Sequence, residues 1–151
     1  MNERLLVEQQ YNLLRKEWSL PLLRDVESLL NTRILNPPVI KNLILVTADM
    51  AQGALNHLFS VLEPNNTVDV IESGFYTAKQ KKDIANKYNE LMGYFHELMA
   101  ALHSSEKEQV RFFKKSLETI PQMKNYMKKF NNYHAKKWRK PRAKKDHSHI
   151  G

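Results

Sequence analysis

Cysteine is absent, so the chain can build neither an extracellular disulfide framework nor a cysteine-based zinc or redox site. Glycine is scarce, at four in 151 residues, and alternating β-branched stretches are few, which argues against a strand-rich fold. No run of about 18 apolar residues occurs, so no membrane span is expected. The first ten residues, MNERLLVEQQ, place Glu3, Arg4 and Glu8 where an export signal needs an apolar core. No such signal is read there, and a cytoplasmic setting is expected. Several catalytic signatures are also missing: a Gly-rich phosphate loop, Gly-x-Ser-x-Gly, His-Glu-x-x-His and Glu-x-x-His. Neither a catalytic residue nor a cofactor is assigned, and the chain is read as non-enzymatic.

Acid is scarce at one end. Residues 111–145 hold thirteen Lys and Arg against one acid, Glu118, a net +12. Residues 1–110 hold eleven Lys and Arg against fourteen acids, a net −3, and Asp146 supplies the last charge of the overall +8. Such an asymmetry attracts polyanions and is silent about fold.

Leu, Lys, Glu, Gln, Met and Ala dominate what is present, and they favour helices. The longest mostly apolar segment, about 38–62, carries only Lys41 and Asp49 as charges. Its apolar side chains fill an arc of about 200°, wider than one neighbour covers, which predicts a central helix packed on several sides. Asp49, Gln52 and Asn56 form a polar strip on it, expected to face water.

Around that segment the sequence predicts an all-α bundle of five to seven helices. Val7, Tyr11, Leu14 and Trp18, with Leu6 and Leu13 beside them, form the buried stripe of a first helix from Glu3 to Trp18. Ser19 and Pro21 are read as the cap and first turn of a second, ended by Asn36-Pro37-Pro38. Residues 67–73 are read as a short helix stopped by Gly74. Thr77 and Gln80 fit a capping box before a helix carrying Ile84, Tyr88, Leu91, Phe95, Leu98 and Leu102. Ser105 and Glu108 fit another, and Pro121 is expected to kink or restart the chain. A last helix then runs to about Trp138. The domain assignment is a single bundle over 1–138 and a basic flexible tail over 139–151.

The last helix is the strongest functional signal. Met123, Tyr126, Met127, Phe130, Tyr133, His134 and Trp138 project to one side, and Lys124, Asn125, Lys128, Lys129, Asn132 and Lys136 to the other. The expected function is binding of RNA or DNA, or association with ribonucleoprotein, largely through phosphates. The assigned contacts are Lys124, Lys128, Lys129, Lys136, Lys137, Arg139, Lys140, Arg142, Lys144 and Lys145, with Trp138 or Tyr133 free to stack on bases. An anionic membrane surface would suit the same charges. The alternative is a helical scaffold or adaptor that self-associates or anchors Phe130, Tyr133 and Trp138 on a protein partner. A metal-dependent bundle enzyme, with His57, His96 and His103 as ligands, ranks below both because the ligand spacings of known helical metal sites are missing.

Overall fold

The structure, a computed structural model, describes residues 2–140. The first helix, α1, spans Glu3–Trp18 and begins where the Asn2 side chain accepts the Leu5 N–H at 3.2 Å. Its buried stripe is narrower than the sequence suggested. Val7 and Tyr11 are fully buried and Leu14 and Trp18 pack against the core, but Leu6 and Leu13 face water, Leu13 at 71% exposure. α1 is covered from one side only, by the next two helices, so residues one step off that line stay outside.

Ser19 ends α1 rather than starting its successor. It adopts a left-handed conformation, φ 54°, and returns its N–H to the Arg15 carbonyl. Leu20 is buried beyond it, and the Tyr11 hydroxyl donates to the Pro21 carbonyl at 2.6 Å, fixing the corner. α2, Leu23–Leu30, is therefore short, and Asn31, φ 51°, stops it by the same left-handed device well before the prolines. Residues 31–38 are non-helical and are held from within. The Glu27 carboxylate accepts the Ile34 N–H at 2.7 Å and both terminal nitrogens of Arg4, at 2.7 and 2.9 Å, while Arg4 also donates to the Ile34 carbonyl.

α3 occupies Val39–Leu62, and Gln10 of α1 caps it by accepting the Val39 N–H. Eleven of its residues are buried, from Val39 to Val61, on more than one side of the helix. It packs against each of α1, α2, α4, α5 and α6, most extensively against α5. α4, Thr67–Ser73, starts at Asn66, whose side chain accepts the Asp69 N–H, and ends with the buried Ser73 hydroxyl donating to Val61 of α3. The Thr77–Gln80 capping box opens α5, Ala78–Ala101, which buries Ile84, Leu91, Leu98 and Ala101. Among the described residues the fold is these six helices with no strand. None of them is long and apolar enough to cross a membrane.

α6 is the largest departure from expectation. It runs without interruption over Glu106–Arg139, 34 residues, with Pro121 inside it. A proline there removes one backbone hydrogen bond and crowds the preceding turn, at a cost of about 3 kcal/mol. Packing outweighs that cost. Val110, Phe113, Ser116, Ile120, Met123, Phe130 and His134 stay on one buried line across the proline, Phe113 and Ile120 without exposure. Pro121 itself faces water on the opposite side, where solvent can reach the carbonyl it leaves unpaired.

Candidate nucleic-acid interface

Because α6 is unbroken, the phase of its side chains is preserved from end to end. Ser105 caps it by accepting the Glu108 N–H, Glu106 and Glu108 sit in the first turn, and Lys136, Lys137 and Arg139 in the last, so the fixed charges oppose the helix dipole at both ends. The buried line defines the opposite, water-facing side. Arg111, Lys114, Lys115, Lys128, Lys129, Lys136, Arg139 and Lys140 are all exposed. At 100° per residue they fall within an arc of about 140° and span about 44 Å along the axis. Glu118 is the only acid in that stretch of sequence, and the exposed residues between Lys115 and Lys128 on this side also include Pro121, Gln122 and Asn125.

The residues assigned from sequence divide into three sets. Lys128, Lys129, Lys136, Arg139 and Lys140 are exposed on this face as expected. Lys124, Lys137 and Trp138 each have a partner within the molecule. The Lys124 ammonium donates to the Leu29 carbonyl at 2.6 Å, capping the C-terminal end of α2, and Lys137 lies over the Tyr133 ring, 5.4 Å from its centre. Trp138 donates its indole N–H to Glu72 of α4 at 2.8 Å and meets the Phe75 ring edge-on at 5.5 Å. Arg142, Lys144 and Lys145, with the rest of 141–151, lie outside the described residues.

Trp138 belongs to an aromatic clasp that fixes the end of α6 against α4. Phe75, Tyr76, Phe130, Tyr133 and His134 pack ring against ring, and the Tyr133 hydroxyl donates to the Phe75 carbonyl at 2.6 Å. His134 is buried with Nδ1 3.3 Å from the same Glu72 carboxylate that receives Trp138. Burial pushes the Tyr76 phenol well above its ordinary pKa, so it packs as a neutral ring. Tyr133 and Phe130, offered by the sequence as stacking or anchoring groups, are thus consumed by the fold.

The other candidates are dispersed. Asp49, Gln52 and Asn56 face water, and the Gln52 amide donates to Asn56 at 2.9 Å on the helix surface. Asp49 reaches the edge of a cleft of about 380 Å³ between α3 and α6, floored by Met50, Ala54, Met123 and Met127. His57, His96 and His103 are exposed rather than partly buried. No group of three or more His, Asp or Glu that could hold a metal ion exists among the described residues.

No protein-family model, curated protein or solved structure matches this chain.

Arg111, Lys114 and Lys115 are the residues that sequence reasoning missed. The signal was present: carrying the helical phase across Pro121 instead of stopping there puts them in line with Lys129 and Lys136.

Proposed function

We propose that the chain is a non-enzymatic nucleic-acid-binding protein whose basic contact surface is the water-facing side of α6. One observation carries the reading: seven exposed Lys and Arg share one side of a single unbroken helix, from Arg111 to Arg139, with Lys140 exposed just beyond its end. Each cation on such a side can neutralise a phosphate and release its counterion, giving affinity that depends on salt and little on sequence. The core on the opposite side of α6 and the clasp at its end fix the helix backbone, so the positions from which those side chains extend are set before binding. Less backbone ordering is then left to be lost on association. The remainder of the molecule is mildly acidic, so a polyanion is steered to α6 and away from the other helices.

Fluorescence anisotropy with a labelled oligonucleotide of about 24 base pairs, longer than the basic stretch, tests the proposal. A quadruple variant, K128Q/K129Q/K136Q/R139Q, is expected to bind at least tenfold more weakly at about 100 mM salt. The pair K79Q/K82Q, two exposed lysines on α5, is expected to bind as the unsubstituted chain does. Equal affinity for all three proteins would remove α6 as the contact surface.

A further inference from the structure

The exposed cations on α6 are not evenly spread. Arg111, Lys114 and Lys115 form one group, and Lys128 and Lys129 open a second that continues through Lys136, Arg139 and Lys140. From the middle of Lys114 and Lys115 to the middle of Lys128 and Lys129 is about 21 Å along the helix axis. That interval holds no cation on the basic side, and what it exposes there is Glu118, Pro121, Gln122 and Asn125. The presence of Glu118 is informative. An acid in the middle of a contact with a continuous polyanion would face a phosphate, whereas over an open groove it faces none.

We infer that the basic side of α6 takes a double-stranded nucleic acid, with the two cation groups resting on phosphate ridges at either side of one groove. This rests on the phosphate-binding reading above and adds the class of partner. A B-form major groove is about 12 Å wide between its phosphate walls. An interval of about 21 Å spans that opening with both cation groups seated on the walls. Gln122 and Asn125 then lie over the open groove with Glu118, away from the phosphates.

Single strands are disfavoured by the same structure. Sequence-tolerant binding of unpaired bases uses exposed aromatic platforms beside a basic track. On α6, Phe113 and Phe130 are buried, Phe112 and Tyr126 pack against the core, and Tyr133 is tied to Phe75. Trp138 keeps 43% exposure, but its N–H is held by Glu72 and its ring meets Phe75. A continuous helix without free aromatic platforms matches two fixed phosphate ridges better than one flexible strand.

Competition binding of the full chain against duplex DNA, duplex RNA and single-stranded DNA of one length and concentration tests the inference. A duplex of at least one kind is expected to compete at least tenfold better than the single strand. The variant R111Q/K114Q/K115Q, changed only at exposed positions, is expected to lose at least tenfold in duplex affinity with its circular dichroism unchanged. Its salt slope should fall by roughly 3, since each lost phosphate contact removes about 0.9. Single strands binding as well as duplexes would overturn the inference and leave phosphate binding standing. So would a triple variant that keeps its duplex affinity, or one that loses duplex and single-strand affinity equally. Absence of binding to all three nucleic acids would instead overturn the phosphate-binding reading, and this inference with it.

Discussion

Glu27 keeps its charge in a nearly closed site because its partners outweigh its burial. Desolvation alone would raise its pKa, but the hydrogen bonds from Arg4 and the Ile34 N–H, with the nearby charges of Arg4 and Arg33, hold it below its ordinary 4.5. A depressed carboxylate contributes stability that is fully present above its unfolded pKa and lost as pH falls through the folded one. The corner joining α1, α2 and the 31–38 segment is therefore expected to loosen as pH falls below the ordinary 4.5 and through the lowered pKa of Glu27. Glu27→Gln should cost about 1–3 kcal/mol in chemical denaturation near neutrality and flatten that acid limb. An unaltered acid limb would show that other carboxylates control it. Lys124 makes the complementary point for the candidate surface. Its ammonium is committed to the Leu29 carbonyl, so Lys124→Met is expected to lower stability by about 1 kcal/mol and leave nucleic-acid affinity within about twofold. A large loss of affinity without a loss of stability would return Lys124 to the contact surface. Composition made Lys124, Lys137 and Trp138 look like free surface groups. Their partners Leu29, Tyr133 and Glu72 were not legible, because proximity of α6 to α2 and α4 is a tertiary fact that no local pattern carries.

Helices were legible wherever their stop and start signals are side-chain chemistry. The Thr77–Gln80 box, the end of α4 before Gly74 and the Val39–Leu62 extent of α3 were all readable from residue type and spacing. Two boundaries were misread for one physical reason: Ser19 and Asn31 stop helices by taking left-handed backbone conformations, as glycine more often does. Pro121 was the opposite case. The expected kink or restart does not occur, because the burial of a continuous line on both sides of the proline is a larger, non-local term than its local penalty. Pro121→Ala is accordingly expected to stabilise the fold by about 1–2 kcal/mol, the recovered helical hydrogen bond being partly offset by a more flexible unfolded chain. Affinity for nucleic acid should be unchanged. A destabilised variant would mean that proline sets the path of α6 rather than being tolerated on it.

At the scale of the molecule, the two ends of the charge distribution become two sides of one body. α3 joins the other five helices into a single core, and α6, packed along it, carries the cations that make the C-terminal third a net positive region. The all-helical architecture was legible because size, composition and the wide apolar arc of α3 leave few other ways to bury this chain. The candidate surface was half legible: residues 128–140 announced themselves by charge, while Arg111, Lys114 and Lys115 joined them only once α6 proved unbroken. Whether α6 binds phosphates is decided by the salt dependence of duplex binding by the full chain, between about 50 and 200 mM salt. Six or more phosphate contacts predict a slope of log affinity against log salt of about −5 or steeper. The quadruple variant K128Q/K129Q/K136Q/R139Q should reduce its magnitude by about 3–4. A slope near zero, or one that the quadruple variant leaves unchanged, would contradict the assignment of α6 as a phosphate-binding surface.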